Sequence, residues 1–290
     1  MYIKEHLESK SIGVSNLENR VTPERMEAFE KRNQMLVTGT GSRSGCLRTL
    51  SSDCEVRAML AYFRDGDTVT MKRWAYRSSK ARIMLEHETN EVIGIEHLLW
   101  PLISDNEEVI EWHASNPMFY ESLDDPQKKE RINSHEFVRL QVQRALTRQW
   151  DALASDCERA LAQPEAFNKT LRPRLVTFQF LLSLARGDKA TMQTILLDKC
   201  TPKQRSRSYQ FESGLTNNFI VSYATLYAKL AWRSGCELEL DTPWIPKEWL
   251  PVKPLDKYED PWPFMQTFDI WQPFAEPYAK YSPRKAASAE

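Results

Sequence analysis

The sequence predicts an all-α protein: helical hairpins stacked in an irregular repeat and closed by a strap rich in proline and aromatic residues. Three observations carry that expectation. First, four stretches share one form: Phe63-Arg64-Asp65-Gly66-Asp67, Leu102-Ile103-Ser104-Asp105-Asn106, Leu146-Thr147-Arg148-Gln149-Trp150 and Leu184-Ala185-Arg186-Gly187-Asp188. Each ends one apolar run at helical spacing and precedes another, as the short joints between antiparallel helices do. Their first residues lie 39, 44 and 38 positions apart, in the range of helical repeats. Second, the 290 residues include only nine glycines, few for a sheet protein with many tight turns. Third, the composition changes at Asp241. Nine of the sixteen prolines lie beyond it, together with ten aromatic residues from Trp244 to Tyr281. A disordered tail would be poor in aromatics, so residues 241–282 are expected to form an ordered, mostly non-helical strap.

Residues 1–50 have the weakest pattern and read as an irregular segment with one short helix. That helix starts at Thr22, with Pro23 in its first position and Glu24 and Glu27 near its positive end. It runs through Met26 and Phe29 towards Met35, and the glycine-rich stretch 38–45 breaks it. The helical-hairpin domain follows over 51–240. Ser51, Ser52 and Asp53 offer caps for a helix using Val56, Met59, Leu60 and Phe63. Asp67 caps the returning arm, whose three-four rhythm runs from Met71 to Leu102. A break at Thr89-Asn90, with Asn90 as cap, divides it, and Pro101 is expected to kink its end. A short arm from Glu107 to Ala114 stops at Asn116-Pro117. Asp124-Asp125-Pro126 opens the next helix towards Leu146, and its partner runs from Trp150 to Leu161. The pair over 170–197 repeats the arrangement. A last helix covers 208–234 and uses Phe219, Tyr223 and Leu230, with Gly235 as its left-handed terminator. Residues 283–290 read as a frayed tail.

The chemistry is sparse. The 39 basic and 40 acidic residues nearly cancel, which does not suggest a general nucleic-acid binder. Five scattered cysteines without a C-x-x-C pair make neither a disulfide framework nor a zinc site, and reduced cytosolic thiols are expected. No stretch approaches a membrane span, and the start lacks a signal-peptide core. The loop Gly39 to Gly45 lacks the Gly-Lys-Ser/Thr ending of a phosphate cradle and reads as a flexible connector. His87 and Glu91 lie one turn apart and could share a metal, but His97 is ten residues from His87 and does not converge with it. No Gly-x-Ser-x-Gly elbow occurs, and Cys157 reads as a small core residue. No cofactor and no catalytic residue is therefore expected. Two basic clusters, Lys72, Arg73, Arg77, Lys80 and Arg82, and Lys199, Lys203, Arg205 and Arg207, could make only salt-sensitive, sequence-blind nucleic-acid contacts, and the first reads as a solvated surface. Two acidic groups, Asp105, Glu107, Glu108 and Glu111, and Asp256, Glu259 and Asp260, either face a basic partner or simply confer solubility.

One region carries a resemblance. The stretch Ala228 to Asp241, followed by Thr242-Pro-Trp-Ile-Pro-Lys-Glu-Trp-Leu-Pro251 and Leu255-Asp-Lys-Tyr-Glu-Asp-Pro261, resembles the immunity protein 49 family of bacterial polymorphic-toxin systems. The similarity covers about residues 50 to 265, and the Leu184 to Asp188 turn fits it. It implies a cytoplasmic, non-catalytic antitoxin, encoded beside a secreted effector, that plugs or covers the toxin's active site. No residue of the family has a toxin-contacting role that carries over. The two acidic groups, Asp105 to Glu111 and Asp256 to Asp260, are the expected contacts. Two rivals stand beside that expectation: a tetratricopeptide-like scaffold for a peptide or effector domain, and a helical enzyme with metal at His87 and Glu91.

Overall fold

The structure, a computed structural model, describes residues 2–89, 94–116, 126–208 and 213–285. It is all-α: no strand occurs among the described residues. The helices are α1 (Tyr2–Glu18), α2 (Pro23–Thr38), α3 (Arg43–Phe63), α4 (Thr68–Thr89), α5 (Leu99–Ser104), α6 (Glu107–Ser115) and α7 (His135–Leu146). They continue with α8 (Trp150–Leu161), α9 (Arg174–Arg186), α10 (Lys189–Lys199), α11 (Pro202–Ser208), α12 (Ser222–Arg233) and α13 (Pro263–Gln266). No helix among the described residues is long and apolar enough to cross a membrane.

All four repeated stretches fall at joints between helices, and one backbone device makes them. Each holds a left-handed residue: Gly66 at φ 70°, Asp105 at 55°, Arg148 at 57° and Gly187 at 69°. A left-handed residue ends a helix by turning its N–H back onto a carbonyl of the last turn. In three of them the next residue caps the following helix. Asp67 accepts from the Thr70 N–H, Asn106 from Val109 and Asp188 from Thr191. Such a cap is worth about 1 kcal/mol. Glycine is the usual left-handed residue because it has no Cβ to crowd, which makes Asp105 and Arg148 the unusual members.

The long hairpin α3–α4 forms the centre. On one side it packs against α5 and α6, on another against α2, while α7 to α10 follow as successive neighbours and α12 meets both α5 and α10. The main core runs through all of these except α2 and includes Trp112, Phe137, Phe178, Phe180 and Phe219. A second, smaller core joins Phe29 and Leu36 of α2 to Leu47, Cys54, Leu85, Phe264 and Met265, so the beginning of the chain meets its end. The strap is ordered and mostly non-helical, and it buries Trp244, Trp249 and Phe274. Each such ring contributes about 1.5–3 kcal/mol by leaving water.

Several boundaries differ from expectation. Residues 1–50 hold two long helices and the start of α3, where one short helix is expected. The buried stripe of α1 is His6, Gly13 and Leu17, too polar and too small to show as an apolar rhythm. A Cβ at Gly13 would collide with the Phe219 ring, which explains a glycine inside a helix. Ser42, not Ser51 to Asp53, caps α3. Ser51 is buried inside that helix and bonds Ser78 across the hairpin. Gly39 to Gly45 is a compact joint, since Gly39 closes α2 with its N–H on Met35 and Gly45 already lies in α3. Pro101 sits in the first turn of α5, where its missing N–H costs no helical bond. Ser134 caps α7, with a separate 3-10 turn at Pro126–Glu130. The last hairpin helix is α12, which starts at Ser222 and leaves Phe219 in the preceding turn. Asn90, Glu91, Pro117, Asp124, Asp125 and the tail from Ala286 lie outside the described residues.

Candidate functional site

Helix α4 carries Lys72, Tyr76 and Lys80 at intervals of four, so the three share one face. All three grip the strap. The Lys72 ammonium donates to the carbonyl of Lys253 at 2.6 Å, and the Tyr76 hydroxyl to Asp260 at 3.1 Å. Lys80 reaches the other Asp260 oxygen at 2.6 Å. Arg77 adds a bond to the carbonyl of Glu259 and lies over the Trp74 ring. The basic cluster is thus not a solvated surface, as the sequence suggests, because Lys72 and Lys80 are buried against a segment about 180 residues away. Arg82 also turns inward, to Glu86.

Asp105 is the counter-charge. Its carboxylate takes Lys72 at 2.6 Å and Lys229 of α12 at 2.7 Å, with Arg233 at 3.7 Å. The strap closes the cluster from above. The Lys253 N–H donates to Asp105, the Lys229 ammonium donates to the Pro251 carbonyl, and the Tyr258 hydroxyl donates to the Ser104 carbonyl at 2.5 Å. Burial pulls Lys229 down to about 8 despite the neighbouring Asp105. Asp105 is expected to be a partner contact, and the structure corrects this. It is completely buried, because two ammonium groups taken out of water need a carboxylate beside them.

The same cluster brings the two acidic groups to one corner, which separation in sequence hides. Glu107 and Glu108 open α6 as exposed residues. Glu107 accepts from Arg233 at 2.5 Å and Glu108 from the Trp271 indole at 3.3 Å. Glu111 follows on the same helix, half-buried. Asp256 and Glu259 lie exposed on the strap on either side of Tyr258, whose ring packs 5.1 Å from Tyr76. Burial first, then Asp260, push the Tyr76 hydroxyl up, and Glu108 adds to it. For Tyr258, burial leads, and Asp105 and Glu107 contribute. Asp260 is largely withdrawn from solvent by its bonds to Lys80 and Tyr76. Four exposed carboxylates, Glu107 and Glu108 of α6 and Asp256 and Glu259 of the strap, therefore belong to the two segments that meet at the half-buried Tyr258, which rests on the buried Tyr76. Lys257 and Glu259 pair at 3.4 Å on the rim.

Sequence reading missed Lys72, Tyr76, Lys80 and Lys229. One signal was present: Lys229 is a lone charge in the apolar run Ala228 to Trp232, and a buried lysine requires a partner.

Other candidate chemistry is structural. His87 lies against Phe268 and Phe274 and is held down to about 4 by burial. Among the described residues no group of His, Cys, Asp or Glu is placed to hold a metal ion. Four of the five cysteines are buried, and burial pushes Cys157 up to about 12. A groove of about 440 Å³ lies between α8, α9 and α10, lined by Leu161, Leu182 and Ile195 with Arg186 and Asp188. Those two charges already serve the fold, Arg186 on Glu158 and Asp188 as the cap of α10. Comparison with family models, curated proteins and solved structures finds no match for this chain.

Proposed function

We propose that this chain is an immunity-type protein, acting in the cytoplasm, that binds a cognate bacterial toxin and covers its active site with the corner formed by α6 and the strap. The reading joins the resemblance of residues 228–261 to one structural observation. Two acidic groups far apart in sequence converge around the Tyr76–Tyr258 pair, on a base fixed by buried ion pairs. A part-exposed aromatic, Tyr258, held on a rigid base with charge beside it suits protein recognition, since a preorganised face loses little entropy on docking and charge selects the partner. The hairpins behind it act as an irregular repeat that holds this face in place.

The test is co-expression with the product of the adjacent open reading frame, scored by growth rescue and co-purification. The wild-type chain is expected to rescue. A Glu107→Lys, Glu108→Lys, Glu111→Lys triple variant is expected to lose rescue while keeping its helical circular dichroism. Undiminished rescue by that folded variant would exclude this corner, and no rescue by the wild type would exclude immunity against that product. The α8–α10 groove supports a second reading, a general scaffold for a peptide. It predicts instead that Leu182→Asp, and not the charge reversal, abolishes binding.

A further inference from the structure

Behind the candidate corner the structure encloses a small polar chamber. Ser51 and Glu55 of α3, Ser78 and Arg82 of α4, His97 of the 3-10 turn Ile95–Leu98, and His113 of α6 line a void of about 10 Å³. That is the size of a single water molecule, so no larger substrate fits. The Ser51 and Ser78 hydroxyls lie 3.1 Å apart, Ser78 reaches Glu55 at 3.4 Å, and Arg82 holds the buried Glu86 at 3.1 Å. His113 is completely buried, with its ring edge-on to Trp112 at 5.0 Å. The chamber therefore joins the α3–α4 hairpin to the unit that carries the corner, and two imidazoles sit in the joint.

We propose that this chamber is an acid-sensitive clasp: protonation of His97 and His113 parts α5–α6 from α3–α4 and so dismantles the corner that carries Glu107 and Glu108. The release of a partner rests on the function proposed above; the opening itself does not. Burial holds His97 down to about 4 and His113 to about 3, while it raises Glu55 to about 7. Near neutral pH both rings are uncharged. In acid Glu55 is protonated and supplies no counter-charge.

The charges of the described residues that act on the two rings are mostly positive. His97 faces Arg82 of α4, Arg139 of α7 and Arg48 of α3, and the carboxylate acting on it is its neighbour Glu96. Glu96 also accepts a long bond from Tyr223 of α12. His113 faces His97 and Arg82, and Glu86 is engaged by Arg82. Glu111, one turn from the corner, shares α6 with His113. The sign follows from the depressed values. Below about 6.5 the unfolded imidazoles bind protons that the folded ones refuse, so stability is lost as pH falls towards 4 and then 3. The loss is about tenfold in the folding equilibrium per pH unit and per histidine, and the raised Glu55 offsets about one histidine's share between its folded and unfolded values.

Two measurements on the isolated chain test this. An NMR titration of the imidazole carbons should show His97 and His113 neutral to below pH 5; either ring titrating near 6.5 overturns the proposal. Hydrogen exchange, corrected for intrinsic rate, should show protection in α5–α6 falling more than tenfold between pH 7 and pH 4.5 while α8–α9 holds. The same loss in every helix overturns local opening. A His97→Gln, His113→Gln variant should keep its α5–α6 protection at pH 4.5, and an unchanged loss there excludes these two rings. If the variant does not fold, the titration and exchange of the wild type still decide. No partner enters either readout, so the clasp and the immunity reading fail separately.

Discussion

The joints α5–α6 and α9–α10 have the same backbone and opposite logic. Each places a left-handed residue before a capping side chain, Asp105 before Asn106 and Gly187 before Asp188. Gly187 serves local geometry alone. Asp105 accepts a conformation that favours glycine because its carboxylate is needed by two lysines from other helices. A turn of one shape can thus be a punctuation mark or the keystone of a tertiary cluster. The φ angle does not tell which; the company of the side chain does.

The sharpest way to break this comparison is Asp105→Gly. If local strain governed the joint, glycine would stabilise it by about 1 kcal/mol. The ion cluster predicts the opposite sign, a loss of about 3–5 kcal/mol, because removing one partner strands the other charges in a dry site. Urea denaturation decides between them. The reciprocal change Gly187→Asp should cost only about 1 kcal/mol.

A smaller effect sharpens the same contrast through pH. Lys229 is depressed to about 8 in the folded chain, below its unfolded value. Between those values the unfolded chain binds the extra proton, so stability rises as pH increases from about 8 to about 10.5. The gain is on the order of 3 kcal/mol. Lys229→Met should remove this rise, and a wild-type curve that falls throughout that window would contradict it. Least in size, Asp188→Ala removes a cap without touching the cluster and should cost about 1 kcal/mol, read as a shift in the urea midpoint.

Much of the fold is legible in the sequence, for local reasons. The four joints show because helix termination needs left-handed residues and caps, which are short-range signals. The strap shows because proline and aromatic content changes abruptly at Asp241. Helix α1 does not, since the groups it buries, His6 and Gly13, fit their neighbours by a hydrogen bond to Phe219 and a close approach to its ring. Ser51 reads as a cap because its role depends on Ser78 of the next helix. The site was half legible. Glu107 and Glu108 are visible as an acidic helix start, but only the fold withdraws Asp105 and sets Asp256 and Glu259 beside them. Lys72 and Lys80 mislead for the same reason: their partners in the strap lie about 180 residues away.

The strap's carbonyls have a consequence for how the protein is made. A polypeptide that stops before Pro251 lacks the strap carbonyls that Lys72 and Lys229 use beside Asp105, and lacks the carboxylate that receives Lys80. Lys80 would then have to hydrate and Lys72 and Lys229 would share Asp105 without the strap, in a place the finished molecule keeps dry. The native arrangement of these lysines therefore waits on residues 251–260, the latest-made part of the cluster they belong to.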